Sequence, residues 1–401
     1  MRRKSLILFT VVLITTGGSL RAGTGATLSD TEAQRLRAAR PGAVVQLPEF
    51  LKQRADLPLV PANILPDAGP QFLFSDQPEY FLTGNGIALQ EQVQPGIVRL
   101  YLYHVPTPSE ERKTITAVIE NLGDKPLAVT FRRQTTPAPG RDYHQIAKNA
   151  LAQFLKPKPV QTARTIPVKT RVPLDPRFDT LTAGRDELVH AIYEFEITQP
   201  ARVTVLQREP EQKSIKIVDD LPKLPPVLPG AAHASGAGRG LYPTSDFLVL
   251  NAQDSLLDTT NGPCQLILAD GQRDPWMRGH DQLSGGASTN VGNYGALYRL
   301  RLKCANSDGR GWALLMCQIP GQTATCGKIG AVVKVSAGAY PAGVIVLPND
   351  RVVFGGAEEA VLIQRFPPLP KGETGTIELT YSPPGACCLP TPLLFVPYAA
   401  K

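Results

Sequence analysis

The residues best suited to binding chemistry sit together between Asp274 and Tyr294, in the run DPWMRGHDQLSGGASTNVGNY. Trp276, His280, Asp281, Asn290, Asn293 and Tyr294 bring an indole, an imidazole, a carboxylate, two amides and a phenol into one stretch. An indole stacks on a sugar ring while amides and carboxylates read its hydroxyls, so this run is a candidate glycan-binding loop. Long ordered loops over a β scaffold often carry function. The blander reading is that Trp276 and Tyr294 pin the loop and that Asn and Asp make its turns. A metal ion fits poorly. His280 and Asp281 are adjacent, His233 is far away in sequence, and no His pair has chelating spacing. Neither a metal nor a cofactor is expected.

Catalytic constellations are scarcer still. Paired carboxylates could serve a carbohydrate hydrolase, with Glu358-Glu359 or Asp274 and Asp281 as candidates, but such chemistry needs two carboxyls facing across a cleft. No G-x-S-x-G elbow is present. The tract Gly236–Gly240 (GAGRG) lacks the Lys-Ser/Thr of a phosphate loop and reads as linker. His104 and His144 stand alone and read as surface or interface residues. No catalytic residue is assigned, and the chain is expected not to be an enzyme.

The six cysteines, Cys264, Cys304, Cys317, Cys326, Cys387 and Cys388, all fall in the C-terminal 140 residues. In an exported protein an even count favours disulfides. If Ala296–Cys304 and Trp312–Cys317 form a hairpin, the two cysteines that end them lie too far apart to bridge. Cys317 is then expected to pair with Cys326, and Cys264 and Cys304 with Cys387 and Cys388 in some order.

The elements that must hold these residues are mostly strands. Pro (38) and Gly (35) punctuate short aliphatic and aromatic runs, which is the composition of a turn-rich β protein. The expected fold is mainly β, with two sandwich or jelly-roll-like domains. Residues 23–75 read as a Pro-rich lead-in, 76–218 as the first domain, 219–240 as a Pro/Gly-rich linker, and 241–401 as the second domain. In the first domain Val98, Leu100 and Leu102 alternate with Arg99, Tyr101 and Tyr103. One helix, 142–155, is expected there. Asp142 and Gln145 form a capping box, Ile146, Ala150, Leu151 and Phe154 share a face, and Pro157 ends it.

The chain opens with Met1-Arg2-Arg3-Lys4, an apolar run from Leu6 to Ile14, and small residues around Ala22. That is the pattern of a removable signal peptide over 1–22, and the apolar run is shorter than the ~20 residues a membrane span needs. Loss of Arg2, Arg3, Lys4 and Arg21 with the leader takes the formal charge from +7 to +3. So mild a charge argues against nucleic acid as a partner. The mature protein is expected to be secreted, periplasmic or at the cell surface, with no transmembrane segment.

Two groups of short motifs resemble a family of uncharacterised secreted bacterial proteins. The first is Ser75–Tyr80 (SDQPEY), Arg99–Pro106 and Gly140–His144 (GRDYH). The second is Arg239–Pro243 (RGLYP), Asp274–Trp276, Gly292–Leu300 (GNYGALYRL) and Leu393–Pro397 (LLFVP). Members of that family can carry a module named after the copper amine oxidase N-terminal domain, which serves as an envelope stalk. The resemblance implies an envelope-associated role and supplies no catalytic residues. The expected function is non-catalytic binding of a surface glycan or an envelope protein. A structural component of an extracellular layer, or a carbohydrate hydrolase with paired carboxylates, are the alternatives.

Overall fold

The computed structural model describes residues 25–227, 236–253, 255–318, 328–387 and 389–399. Strands hold 43% of the chain and helices 11%, so the fold is mainly β, as the Pro- and Gly-punctuated runs imply. The expected signal peptide lies outside the described residues.

Among the described residues, four sheets carry the fold. The largest has eight strands, in the spatial order Gly286–Asn290, Met277–Asp281, Arg239–Tyr242, Gln71–Ser75, Gly96–His104, Val189–Ile197, Leu127–Thr135 and Arg164–Ile166. One of its faces shares a core with the four-stranded sheet of Gly86–Val93, Ala201–Arg208, Thr114–Asn121 and Arg171–Pro173. Side chains alternate between the faces of a strand. Val98, Leu100 and Leu102 therefore join Ile119, Val203 and Val205 in that core, while Tyr101 and Tyr103 point into the opposite one.

That opposite core is shared with a second sandwich. Its seven-stranded sheet runs from the edge strand Ala62–Asp67 through Asp246–Asn251, Leu297–Ala305, Thr374–Tyr381 and Ala331–Val335 to Gly343–Leu347, with the short strand Leu257–Asp258 also paired to Leu297–Ala305. Its five-stranded sheet comprises Val44–Gln46, Glu359–Phe366, Gly311–Cys317, Leu393–Tyr398 and Cys264–Leu266. Tyr298, Leu300, Trp312 and Phe395 from these sheets lie in the same buried cluster as Phe72, Phe74 and Tyr101. Arg99 crosses the junction. Its guanidinium, 1% exposed, lies 2.7 Å from both Glu194 and Asp246.

The helix Tyr143–Leu155 begins where expected, with the Asp142 carboxylate accepting the Gln145 N–H at 2.9 Å. The return arm of the capping box is absent, because the Gln145 side chain donates to Asn149 instead. The helix packs against both sandwiches rather than closing one end of the first. Lys148 is buried among C-terminal residues and donates to the carbonyls of Pro348, Arg351 and Val352 at 2.7–2.9 Å. No helix among the described residues is long and apolar enough to cross a membrane.

Several expectations are corrected. The 23–75 lead-in folds from Asp30 onward into the helix Asp30–Ala38 and three strands, each paired in a different sheet. The end of the expected 219–240 linker is the strand Arg239–Tyr242 in the eight-stranded sheet, with Arg239 buried. The middle of that linker, including His233, lies outside the described residues. Leu297–Ala305 and Gly311–Cys317 are not a hairpin but belong to different sheets. Cys264, Cys304, Cys317 and Cys387 are free and buried, so neither Cys264 nor Cys304 pairs with Cys387. Burial pushes their thiols up, to about 12 for Cys264, Cys317 and Cys387 and about 11 for Cys304. Cys326 and Cys388 lie outside the described residues.

Candidate functional site

The strand Gln71–Ser75 ends inside the eight-stranded sheet, and the chain turns away through Asp76, Gln77, Pro78 and Glu79. The segment 236–238 clasps this turn. Ala237 N–H donates to the Asp76 carboxylate, Asp76 N–H to the Gly238 carbonyl at 3.1 Å, and the Gln77 amide to the Gly236 carbonyl at 3.1 Å. The approach is so close that a Cβ on Gly236, at φ +75, would sit 1.8 Å from the Asp76 carbonyl oxygen. Only glycine fits such a contact in that conformation.

Beneath the turn lies His104. Pro78 offers its ring only a carbonyl, so Nδ1 carries the proton and donates at 2.8 Å, and Nε2 accepts from the Ser75 hydroxyl at 2.8 Å. Burial pushes His104 down to about 3, so it is a neutral brace. A surface or interface position is expected for it from the sequence, and the structure buries it completely. A polar residue at a strand end looks solvated until the strand's neighbours are known.

Above the turn opens a cavity of about 580 Å³, within the ~300–1,000 Å³ range of small-ligand sites. Asp76 and Glu79 face Phe74, Tyr101, Tyr103 and Tyr294 across it. Burial, and then the charge of Glu79, push the Asp76 carboxyl well above the usual range, against the pull of the Ala237 N–H. Burial pushes Glu79 up to about 7. No Lys or Arg lines the cavity among the described residues. Two carboxyls that repel each other, without a cation, hold a proton between them near neutral pH.

The phenols complete the wall. Tyr294 donates to the Cys387 carbonyl at 2.9 Å and is committed. Tyr101 and Tyr103 are 4% and 6% exposed, and their hydroxyls have no hydrogen-bond partner among the described residues. Burial raises both phenols, which stay protonated. The cavity thus offers two carboxyls, aromatic faces and two uncommitted hydroxyls.

The candidate loop around Trp276 proves to be a hairpin, Met277–Asp281 paired with Gly286–Asn290. Asp281 opens its turn by accepting the Leu283 N–H, and Gly285 N–H donates back to the Asp281 carbonyl. Its other carboxylate oxygen accepts from buried Arg239 at 2.8 Å. Asn290 brackets the Tyr294 backbone, and Asn293 accepts the Met277 N–H and donates to the Tyr298 hydroxyl. These three residues build the scaffold. His280 is exposed on the hairpin, Trp276 is partly exposed in a separate groove, and Tyr294 alone of the six reaches the carboxyl cavity.

Of the other carboxylates singled out earlier, Glu358 is exposed and Asp274 and Glu359 are occupied. Asp274 accepts from the Tyr298 hydroxyl and the Ala269 N–H. Glu359 holds Arg351 and the N–H groups of Gly355 and Gly356. His144 Nδ1 lies 3.6 Å from the Cys387 sulfur.

Asp76, Glu79, Tyr101 and Tyr103 were not singled out as site residues. The available signal was two acids three residues apart around a proline, in Ser75–Tyr80. What sequence could not supply was the clasp from residues 236–238, which covers Asp76.

No family model and no curated protein matches the chain. Among solved structures, a chain from the structure of the Macrobrachium rosenbergii nodavirus aligns over 99% of this chain and 96% of its own, at 10% identity and a TM-score of 0.15. A likeness that slight carries no argument about fold or function.

Proposed function

We propose that the chain is an exported, non-catalytic binding protein of the cell envelope or extracellular space, and that its ligand presents an organic ammonium group to the Asp76/Glu79 cavity. The ammonium belongs either to a surface polymer or to a soluble amine. The export half of this reading rests on the pattern of residues 1–22. The binding half rests on one observation, a pair of carboxyls, Asp76 buried and Glu79 half-buried, with no Lys or Arg beside them among the described residues.

An ionised carboxylate removed from water costs several kcal/mol unless it is paired. A proton meets that need in the free protein, and a bound cation would meet it better. Aromatic faces add attraction for ammonium ions, about 0.5–2 kcal/mol each. Calorimetry with choline and its uncharged isostere 3,3-dimethylbutanol tests the reading. Choline should bind about tenfold or more tighter, and Asp76→Asn/Glu79→Gln should remove the difference. Equal binding of the two compounds, or none of either, would sink it.

A second reading is favoured by one observation, that Glu79 sits at about 7 beside another carboxyl. A carboxyl so poised suits general acid catalysis on a glycosidic bond. Under that reading the wild type releases reducing sugar from an oligosaccharide, and Glu79→Gln does not.

A further inference from the structure

The seven-stranded sheet has an open edge, and its chemistry is opposite to that of the carboxyl cavity. Its end strand, Ala62–Asp67, pairs among the described residues on one side only, with Asp246–Asn251. Beside it lies a groove of about 630 Å³, whose other bank is the run Arg273–Arg278. Trp276 is 36% exposed there. Its indole N–H donates to the Ala269 carbonyl at 3.3 Å. Gly271, at φ +71, lies so close that a Cβ would sit 2.5 Å from the ring. The ring is therefore fixed from behind and presented in advance.

The exposed charges that line it have one sign, from Arg273 and Arg278. Asp274 lines the groove but is 2% exposed, with its carboxylate held at 2.6 Å by both the Tyr298 hydroxyl and the Ala269 N–H. Arg273 and Arg278 are exposed and only loosely engaged, Arg273 3.6 Å from Asp270 and Arg278 3.5 Å from the Thr289 hydroxyl. A guanidinium matches a carboxylate with two parallel hydrogen bonds, and a planar ring matches the apolar face of a pyranose. We propose that this groove is a subsite for an acidic sugar, with a uronate ring stacked on Trp276 and its carboxylate held by Arg273 and Arg278. The carboxyl cavity plays no part in it.

The full chain carries two tryptophans, and Trp312 is 1% exposed, so a change in tryptophan emission on adding a sugar reports Trp276. The probes are trigalacturonate, neutral maltotriose and a glutamate oligomer. Trigalacturonate should bind about tenfold or more tighter than maltotriose, and added salt should weaken it. Trp276→Ala, which removes the fluorophore and is therefore followed by calorimetry, should lose about tenfold for trigalacturonate. Arg273→Gln/Arg278→Gln changes only exposed side chains. It should lose about tenfold for trigalacturonate and leave maltotriose unchanged. Equal affinity for the two sugars, or an unaffected double-Arg variant, would overturn the assignment. So would the absence of binding at millimolar sugar, or tighter binding of the glutamate oligomer.

Discussion

Glu79 carries a carboxyl that burial pushes up to about 7 from an ordinary 4.5, with no basic side chain lining its cavity among the described residues. Its folded-state pKa lies above its unfolded one. The stability it contributes is therefore present below about pH 4.5 and lost as pH rises through about 7. The shift alone sets a ceiling of about 3 kcal/mol, and partial exposure reduces it to ~1–2 kcal/mol. Glu79→Gln removes this dependence. Between mildly acidic and mildly alkaline pH, urea titrations should show the wild type losing ~1–2 kcal/mol more than the variant. A residue that makes the free protein less stable at neutral pH is better explained by a ligand than by the fold. His104 and His190 show the contrast. Burial pushes them down to about 3 and about 4, each donates to a backbone carbonyl, and both are neutral parts of the scaffold.

The strand Arg239–Tyr242 ties the halves of the eight-stranded sheet together, joining Gln71–Ser75 to the hairpin Met277–Asp281/Gly286–Asn290. Arg239 anchors it by binding the Asp281 carboxylate at 2.8 Å and the carbonyls of Ala88 and Leu224. Glu91 lies close by, pushed up to about 7 by burial, with one carboxylate oxygen unpartnered. Arg239→Met would leave Asp281 charged and buried, at a cost of ~3–5 kcal/mol. Adding Asp281→Leu should recover more than half of that loss in the same chemical denaturation experiment. Equal losses for the single and double variants would show that the pair does not act as a unit.

The strands of both sandwiches were legible in their alternation, because period-two patterning survives whatever the strand pairs with. Gly96–His104 and Leu297–Ala305 are examples, and the capped helix Tyr143–Leu155 was legible from its apolar face at helical spacing instead. What the pattern does not encode is pairing across distant sequence. Val44–Gln46, Ala62–Asp67 and Gln71–Ser75 look like a lead-in because their partners, from Gly96–His104 to Glu359–Phe366, lie 27 to over 300 residues away. The GAGRG tract looked like linker for a related reason, since glycines that permit close backbone approach read the same as glycines that confer freedom. The trait the sequence most underestimated was burial of polar groups, at Asp76, Arg99, His104 and Arg239.

At the scale of the whole molecule, the carboxyl cavity joins segments that are remote in sequence, residues 76–79, 236–237, 291–294 and 385–386. A ligand there bridges both sandwiches and must compete with the proton the carboxyl pair shares. Choline binding measured by calorimetry from about pH 5.5 to about pH 8.5 tests this most directly, because choline itself does not titrate. With Glu79 at about 7, the affinity should rise roughly 30-fold across that range, with proton release at the acid end, and Asp76→Asn/Glu79→Gln should show neither. Binding that is independent of pH and survives the double substitution would contradict the account.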